Sequence, residues 1–381
     1  MGTTAVTGLR CFRCGTQAPF DPGAYLCTAC GDPATEGDAG ILDVEYDYTL
    51  VRHRYAAVPE GGAGVFRFLP FLPLSGAAPV LPAGNTALVP APRLARRLGL
   101  GALYLKDETR NPTRCLKDRS TAVGMALALE QGANAVYCAS AGNAAISLAG
   151  FAAHAGLECH VFVPNRVSEV RLEWLRRFGA RVHVSAGDYD QAFTESELAG
   201  RAGGWYSRNC AYNPFLVEGK KTAALEIGEQ LGFEPPDVVL APVGDGCTLA
   251  ALGKGFRELR EIGLTTRLPA LIGVQAEAVQ PLVRRFRSEP YVDAGETRAA
   301  SISVRRPRNA ARLLQELAAA GGELLAVSDE ETAAAQRELA EECGVAAEFT
   351  SATTLAALHR SSGALRGMRV VLVITGGRAD S

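Results

Sequence analysis

The sequence predicts an α/β protein with two parallel-sheet, three-layer domains and a cleft between them, preceded by a small N-terminal zinc ribbon. Short apolar runs alternate with longer runs in which apolar residues recur every three or four positions. The short runs are almost continuously apolar, as in parallel strands covered on both faces. The alternations are too numerous for one small domain, so we expect two. Two C-x-x-C pairs predict the ribbon.

The strand and helix candidates begin after residue 85. The strand candidates are "ALYLKDE" (102–108), "NAVYCAS" (134–140), "ECHVFVP" (158–164), "ARVHVSA" (180–186), "DVVLAPV" (237–243), "ALIGVQA" (270–276) and "VVLVIT" (370–375). Helical patterns such as "KTAALEIGEQLG" lie between them and end in glycine, a common helix terminator. The segment 40–84 is rich in proline and glycine, which predicts an irregular connecting arm.

The composition argues against nucleic-acid and membrane partners. The 381 residues include 39 Lys and Arg against 41 Asp and Glu, a net charge of −2, and 48% are hydrophobic. The apolar runs are too short to span a bilayer, and the N-terminus lacks a basic region followed by an apolar stretch. We therefore expect a cytoplasmic protein whose partner is a small molecule. We also expect a homodimer.

Four cysteines near the N-terminus have the spacing of a zinc site. They are Cys11, Cys14, Cys27 and Cys30, and a glycine follows each C-x-x-C pair. The alternatives are four unrelated cysteines or a redox pair. Two C-x-x-C pairs that flank a short loop argue against both. Four protein ligands leave no open position for a substrate, so the predicted Zn²⁺ is structural. The other cysteines are expected to be small buried apolar residues.

Ligands of parallel α/β folds bind at the carboxyl ends of strands, where helices begin. Four such positions here carry residues able to react or to hold an anion, namely a lysine, a small-residue turn with an amide, a glycine-rich loop and a hydroxyl. In chain order they are Lys117; Ser140, Ala141, Gly142 and Asn143; Gly244, Asp245, Gly246, Cys247 and Thr248; and Thr375.

These positions have simpler interpretations when each is taken alone. Lys117 would be an exposed charge, and the others would be ordinary turns. Together they supply a lysine for a Schiff base, an amide for a ring hydroxyl, a phosphate cradle and a hydroxyl for a pyridine nitrogen, which are the groups that pyridoxal 5′-phosphate needs. Desolvation and nearby positive dipoles would lower the pKa of Lys117 for this task. No G-x-G-x-x-G opens a βαβ unit, which disfavours an NAD enzyme.

From about residue 80 to its end the chain resembles the threonine synthases, and more broadly the fold type II pyridoxal-phosphate enzymes. The similar segments are "LKDETRNPTRCLKDRS", "SAGNAA", "NPFLVEGKKTAALEI", "PVGDGCTLAAL", "EFTSATTLAAL" and "VITGG". The resemblance implies that Lys117 is the catalytic Schiff-base lysine and that Asn143 faces the 3-hydroxyl of the cofactor. It also implies that residues 244–248 hold the phosphate and that Thr375 faces the ring nitrogen.

This resemblance predicts four regions of the chain. We expect a zinc ribbon at 1–40, an N-terminal arm and the start of the large domain at 41–115, a small α/β domain at 116–208 and a large cofactor-binding α/β domain at 209–381.

The resemblance fails at positions that hold the substrate's phosphate in threonine synthases. Those enzymes have arginine, threonine, serine and asparagine where this chain has Leu216, Ala144, Cys210 and Thr248. We therefore expect a rebuilt substrate pocket and poor turnover of phosphohomoserine. Arg114 or Lys106 would bind a differently placed anion, and an ordinary surface charge is an equally good interpretation of both.

The expected reaction is elimination or replacement at the β or γ carbon of an activated amino acid. The substrate's α-carboxylate would lie on residues 140–143. A neutral Thr375 at the ring nitrogen favours these reactions over transamination. Alternatives are threonine synthase acting on O-phosphohomoserine, a β-replacing synthase that uses an activated serine, and a serine/threonine dehydratase. A catalytically dead regulator on the same scaffold is a non-enzyme alternative, disfavoured by the retention of Lys117, Asn143 and Thr375.

Overall fold

A computed structural model describes residues 4–30, 40–57, 64–165 and 167–377. The strands in these ranges are β1 Val6–Cys11, β2 Gln17–Ala18, β3 Leu42–Tyr46, β4 Leu88–Pro90, β5 Ala102–Asp107, β6 Ala135–Ala139, β7 Glu158–Val163, β8 Arg181–Val184, β9 Tyr206–Ser207, β10 Val238–Pro242, β11 Ala270–Ala276, β12 Glu323–Val327 and β13 Arg369–Ile374. The helices are α1 Tyr48–Tyr55, α2 Pro92–Leu98, α3 Lys117–Glu130, α4 Asn143–Ala155, α5 Glu169–Arg177, α6 Tyr189–Gly203, α7 Phe215–Gln230, α8 Cys247–Glu261, α9 Pro281–Phe286, α10 Ala310–Ala320, α11 Asp329–Cys343 and α12 Phe349–Ser361. Among these helices, none combines the length and the apolar character needed to cross a membrane.

The larger sheet has six strands in the order β12-β11-β10-β13-β5-β4. Its pairs are parallel except that β4 adds an antiparallel edge to β5. Alternate residues of the central strands enter two different apolar cores. Val239 and Val371 pack on the side of α8, whereas Leu240 and Leu372 pack on the side of α12. Burial on both faces explains the nearly continuous apolar sequences of these strands.

The smaller sheet has four parallel strands in the order β8-β7-β6-β9. Helices α4 and α6 both pack against β6 and β7. The chain therefore forms two helix-covered parallel sheets, as predicted from the alternation of strands and helices. The division of the sequence into four numbered regions stays a prediction.

A small antiparallel sheet, β2-β1-β3, carries the N-terminal cysteines. Its third strand is attached to the rest of the molecule by buried polar contacts. Lys254 of α8 lies 2.7 Å from Asp43, and the hydroxyl of Tyr46 donates a 2.7 Å hydrogen bond to Glu218 of α7. Lys221 lies 2.5 Å from the same Glu218 carboxylate. This sheet is therefore joined to α7 and α8 by charge pairing as well as by packing.

A second group of buried charges joins α7 to α3 and β5. Arg119 donates to Glu108 at 2.7 Å and to Glu226 at 2.9 Å, and Lys106 lies 2.7 Å from Glu226. All four side chains are fully buried. Because an unpaired charge in the interior is strongly destabilising, each of these residues depends on its partners.

The predicted strands are all observed, with ends that differ by a few residues. Strands β4, β9 and β12 and the N-terminal sheet were not predicted, because they are short or lack a long apolar run. The arm is more regular than predicted. Its helix α1 forms because Asp47 caps it, accepting hydrogen bonds from the backbone N–H groups of Thr49 and Leu50.

Replacement of the shared carboxylate, Glu226→Gln, should lower the free energy of unfolding by about 3–5 kcal/mol, because it leaves two buried cations with less compensating charge. Urea unfolding followed by circular dichroism would measure the change. Glu173→Gln, which removes the exposed partner of Arg177, is the matched control and should have little effect. Equal effects of the two substitutions would contradict the importance of the buried network.

Candidate cofactor and substrate site

A cavity of about 320 Å³ lies where the carboxyl ends of the two parallel sheets meet. Segments that follow β6, β10 and β13 line it, together with the first residue of α3. The predicted site residues in its wall are Lys117, Ser140, Ala141, Gly142, Asn143, Gly244, Asp245, Gly246, Cys247, Thr248 and Thr375. The fold thus brings together residues that are far apart in the sequence.

Lys117 stands at the start of α3 and lines the cavity. Removal from water lowers the pKa of its amine, and the nearby cations Lys220 and Arg208 lower it further. The segment before it is held against the end of β13, since the N–H of Leu116 donates to the carbonyl of Thr375 at 2.8 Å. An amine with a lowered pKa is suited to act as a nucleophile or a base.

The hydroxyl of Thr375 is held by a second hydroxyl. Its Oγ1 lies 3.0 Å from the Oγ of Ser351, which also accepts a hydrogen bond from the N–H of Gly376 at 2.9 Å. Ser351 belongs to the segment "EFTSATTLAAL" at the start of α12. The cavity therefore presents a neutral, oriented hydroxyl at this strand end.

Asn143 begins α4 on another wall of the cavity, and its amide donates a 2.7 Å hydrogen bond to the carboxyl group of Glu348. Burial raises the pKa of Glu348, while the hydrogen bond from Asn143 and the charge of Lys117 act in the opposite direction. The hydroxyl of Ser140 accepts a hydrogen bond from the N–H of Gly142 at 3.1 Å. This contact shapes the turn in which the N-terminus of α4 opens towards the cavity.

The glycine-rich loop leads directly into α8, which begins at Cys247. Gly246 has a φ of 99°, which an L-residue with a side chain rarely adopts. A Cβ atom on Gly244 would lie 3.1 Å from the side chain of Val304. The backbone at Gly246 therefore favours glycine, and Gly244 leaves little room for a side chain. The loop places the first N–H groups of a long helix where they can bind an anion.

Two predicted substrate residues do not line the cavity. Lys106 is fully buried in the charge network, where its ammonium contacts Glu226 and donates to the carbonyl of Thr86 at 2.9 Å. The proximity of Lys106 to the lysine motif in sequence does not bring it to the site in space. Arg114 is exposed and lies in a left-handed turn with φ 64°. Its backbone carbonyl accepts a hydrogen bond from Gly377 at 2.9 Å, so its role in the structure is the turn before α3.

The four departures from the threonine synthase pattern are not equivalent in space. Ala144, Cys210 and Thr248 line the cavity. Leu216 does not line it, because its side chain is fully buried beside Gly124, where a Cβ atom would lie only 2.7 Å from it. An arginine in place of Leu216 would enter a packed interior rather than open space.

Four charged residues of the cavity were not predicted from the sequence. They are Arg171, Arg208, Lys220 and Glu348. Two lysines are adjacent in α7, and consecutive residues of a helix point in directions about 100° apart. This pattern predicts that the two side chains face different surroundings. Lys221 enters the buried network and Lys220 lines the cavity.

The predicted zinc ligands also come together. The sulfur atoms of Cys11, Cys14, Cys27 and Cys30 all lie within 4.8 Å of one another. Cys11 and Cys30 are 3.6 Å apart, and Cys14 and Cys27 are 3.7 Å apart. The backbone of Gly40 approaches this cluster so closely that a Cβ atom there would lie 2.7 Å from the Cβ of Cys30. Four converging thiols suit a tetrahedral metal ion.

Residues 80–376 match the family described as pyridoxal-phosphate dependent enzyme. The chain belongs to this family. The match covers both parallel sheets and every loop that lines the cavity. The predicted lysine, amide, glycine loop and hydroxyl of this pyridoxal-phosphate-dependent enzyme therefore all lie within the matched region.

Proteins similar to this chain include enzymes named threonine synthase. The enzyme of Methanocaldococcus jannaschii is 35% identical over 96% of this chain and 91% of its own length. The enzyme of Methanosarcina acetivorans is 34% identical over 92% of this chain and 86% of its own length. Similarity to these enzymes therefore extends over more than nine tenths of the chain.

Solved structures of the same architecture include a threonine deaminase from T.th., which is 26% identical to this chain. It has a TM-score of 0.65 and covers 78% of this chain and 93% of its own. Diaminopropionate ammonia lyase from Escherichia coli aligns with a TM-score of 0.67 over 87% of this chain and 89% of its own at 17% identity, which indicates a shared fold alone.

Proposed function

We propose that this enzyme eliminates or replaces a group at the β or γ carbon of an amino acid, as threonine synthases and their lyase relatives do. The observation that carries this proposal is the cavity itself. One cavity, at the carboxyl ends of the two parallel sheets, is lined by Lys117, Asn143, the glycine loop and Thr375. When bound, pyridoxal phosphate supplies an electron sink for breaking bonds at the α-carbon.

The residues of the cavity fit this cofactor. The N-terminus of α8 would hold the phosphate, with Gly244, Asp245, Gly246, Cys247 and Thr248 around it. Burial raises the pKa of Asp245, and its carboxyl group accepts a hydrogen bond from the N–H of Arg308 at 3.1 Å. A less readily ionised Asp245 reduces repulsion between that side chain and a phosphate dianion. Asn143 would bind the ring hydroxyl.

Lys117 has two tasks in this proposal. Its amine would hold the cofactor, and the same amine would remove the α-proton of the amino acid. Both tasks require a neutral amine. The lowered pKa of Lys117, caused by burial and by two neighbouring cations, favours this neutral form.

Two other groups would set the course of the reaction. Residues 140–143 and the N-terminus of α4 would hold the substrate's α-carboxylate, because several N–H groups converge there. Thr375, oriented by Ser351, would face the ring nitrogen. A neutral hydroxyl stabilises a protonated ring nitrogen less than a carboxylate does, which favours elimination and replacement over transamination.

The residues around the substrate's leaving group differ from those of threonine synthases. Ala144 and Thr248 line the cavity where threonine synthases have threonine and asparagine, so two hydrogen-bonding groups for a substrate phosphate are changed. We therefore propose a substrate other than phosphohomoserine. Threonine synthase activity is the second candidate, favoured by the names of the relatives that are 34–35% identical over more than nine tenths of the chain.

We further propose one structural Zn²⁺ on Cys11, Cys14, Cys27 and Cys30. Four cysteines within 4.8 Å support it. The chemistry of the cavity does not require this ion. A cytoplasmic homodimer is likewise our proposal, resting on the composition and on the family.

Borohydride reduction should fix the pyridoxyl group on Lys117, because this amine lines the cavity and has a lowered pKa. Peptide mapping by mass spectrometry would locate it. Lys220 lines the same cavity and Lys106 does not, so they serve as internal controls. Label on either of them in place of Lys117 would refute the assignment.

Metal analysis should find about one zinc per chain. Cys27→Ser should lower the zinc content and the solubility more than it changes the absorbance of the bound cofactor, since the cluster lies outside the cavity. The substitution Cys343→Ser, at a cysteine outside the cluster, is the control and should retain the metal. Purified protein free of metal, with the same thermal stability after zinc addition, would contradict the proposal.

Phosphohomoserine should be turned over about a hundredfold less well than the best substrate in a panel of phosphoserine, acetylserine, serine and threonine. Each lost hydrogen bond to a charged group is worth roughly 1.5–3 kcal/mol. Release of phosphate, acetate or ammonia would be followed. Efficient formation of threonine from phosphohomoserine by the wild type would establish the second candidate.

Ala144→Thr should raise the kcat/KM for phosphohomoserine by about tenfold, because it restores one hydroxyl to the cavity wall. Ala144→Val has nearly the same shape without the hydroxyl and is the matched control. This pair is preferable to Leu216→Arg, which would place a charge in the packed interior. An equal response of the two variants would exclude a hydrogen-bonding role at this position.

A further inference from the structure

A sulfur atom and an ammonium group are paired in the wall of the cavity. The Nζ of Lys220 lies 2.8 Å from the Sγ of Cys210, and both residues line the cavity. Lys220 is only 3% exposed. Within the described residues, no carboxylate lies within ion-pair distance of Lys220. Because a buried ammonium needs a compensating charge, the contact favours the thiolate form of Cys210.

The surroundings of Cys210 reinforce this form. The thiol of Cys247, at the first turn of α8, donates to the backbone carbonyl of Cys210 at 3.4 Å. A hydrogen bond from the side chain of Cys247 lowers the pKa of Cys210 most, burial opposes it, and the charges of Lys220 and Arg208 lower it further, leaving it well below its ordinary value. Burial raises the pKa of nearby Asp245, so this carboxyl group opposes the thiolate less than an ionised one would.

Three other buried cysteines are in a different environment. Burial raises the pKa of Cys115, Cys138 and Cys159. These thiols are the small buried apolar residues expected from the sequence. Cys138 lines the same cavity as Cys210, whereas Cys115 and Cys159 do not. Cys210 differs from all three because its sulfur has an ammonium partner, which is the environment of a reactive cysteine.

We propose that Cys210 is a thiolate at neutral pH and a modification site that hydroperoxides oxidise. The thiolate attacks one peroxide oxygen, so that a sulfur–oxygen bond forms while the oxygen–oxygen bond breaks. The hydroxide or alkoxide that leaves takes a proton from solvent and becomes water or an alcohol. The sulfur loses two electrons and becomes a sulfenic acid, while the peroxide is reduced.

Oxidation of Cys210 would change the environment of the whole cavity. The product is a larger and, when protonated, neutral group, so Lys220 would lose the charge that compensates it. Cys210 also raises the pKa of Lys117 through its negative charge. Its oxidation would therefore change both the space and the charge balance around Lys117, whatever substrate the enzyme uses.

The proposal can be tested on the full-length protein with its cofactor bound. Hydrogen peroxide is added in the presence of dimedone, which traps sulfenic acids, and each cysteine is followed by peptide mass mapping. Cys210 should be trapped at least tenfold faster than Cys159, a buried internal control that does not line the cavity. Equal rates at the two cysteines would overturn the proposal.

The role of Lys220 is tested with two variants. Lys220→Met should slow trapping at Cys210 at neutral pH by about tenfold, because it removes the charge that stabilises the thiolate. Lys220→Arg keeps a positive charge and should retain most of the rate. Equal rates in the wild type and Lys220→Met would contradict the pairing.

A measurement on the wild type alone keeps the proposal testable if Lys220→Met does not fold. The rate of alkylation of Cys210 by iodoacetamide should already be at its plateau at pH 7, whereas an ordinary thiol reaches its plateau only above its pKa of about 8.5. A rate that continues to rise through pH 8.5 would show a thiol of ordinary pKa and would overturn the proposal.

Discussion

The charges buried along α7 constrain the rest of the structure. Glu218, Lys221 and Glu226 all belong to this helix and are fully buried. Removing an ion from water costs several kcal/mol, and the cost is offset only when an oppositely charged group meets it with good geometry. Partners come from α3, α8, β3 and β5. The position of α7 therefore fixes four other elements, and a shift in any of them would leave a charge unpaired.

The cavity depends on these pairs although none of the residues in them lines it. Arg119 lies two residues after Lys117, so its contacts with Glu108 and Glu226 hold the first turn of α3. Lys254 lies two helical turns after Cys247, and its contacts with Asp43 and Glu218 hold α8 behind the glycine loop. Contacts with α7 thus position both Lys117 and the glycine-rich loop. Preorganisation of this kind lets a cavity keep its geometry without ligand contacts.

The N-terminal sheet takes part in the same arrangement through Asp43. Burial would raise the pKa of this carboxyl group, but Lys254 and Arg312 beside it lower the pKa to about 2. The lowered pKa means that the contact is complete above pH 4, near the ordinary pKa of aspartate, and is lost as the pH falls towards 2. The sheet that carries the four cysteines is consequently part of the electrostatic support of α8.

Local patterns in the sequence predicted the elements and the site, but pairings between distant residues were not predictable from them. The strand ends and the C-x-x-C spacing are local. The residues predicted at the strand ends line the cavity, and the four thiols of the C-x-x-C pairs converge. Lys106 was assigned to the substrate because it precedes the lysine motif. Its partner Glu226 is 120 residues away, and only the folded chain shows that this charge is already compensated. The same limit applies to Lys220 and Cys210, whose contact depends on how α7 meets the cavity.

The charge balance around Lys117 follows from this packing. Lys220 and Arg208 disfavour a further cation, whereas a Cys210 thiolate favours one and Glu348 would do so if it were ionised. Burial raises the pKa of Glu348, and a neutral Glu348 gives less support to the ammonium form of Lys117. A neutral amine in turn gives less support to the carboxylate form of Glu348. The neutral forms are therefore mutually consistent, and the lowered pKa of Lys117 favours the form that nucleophilic attachment and proton removal both require.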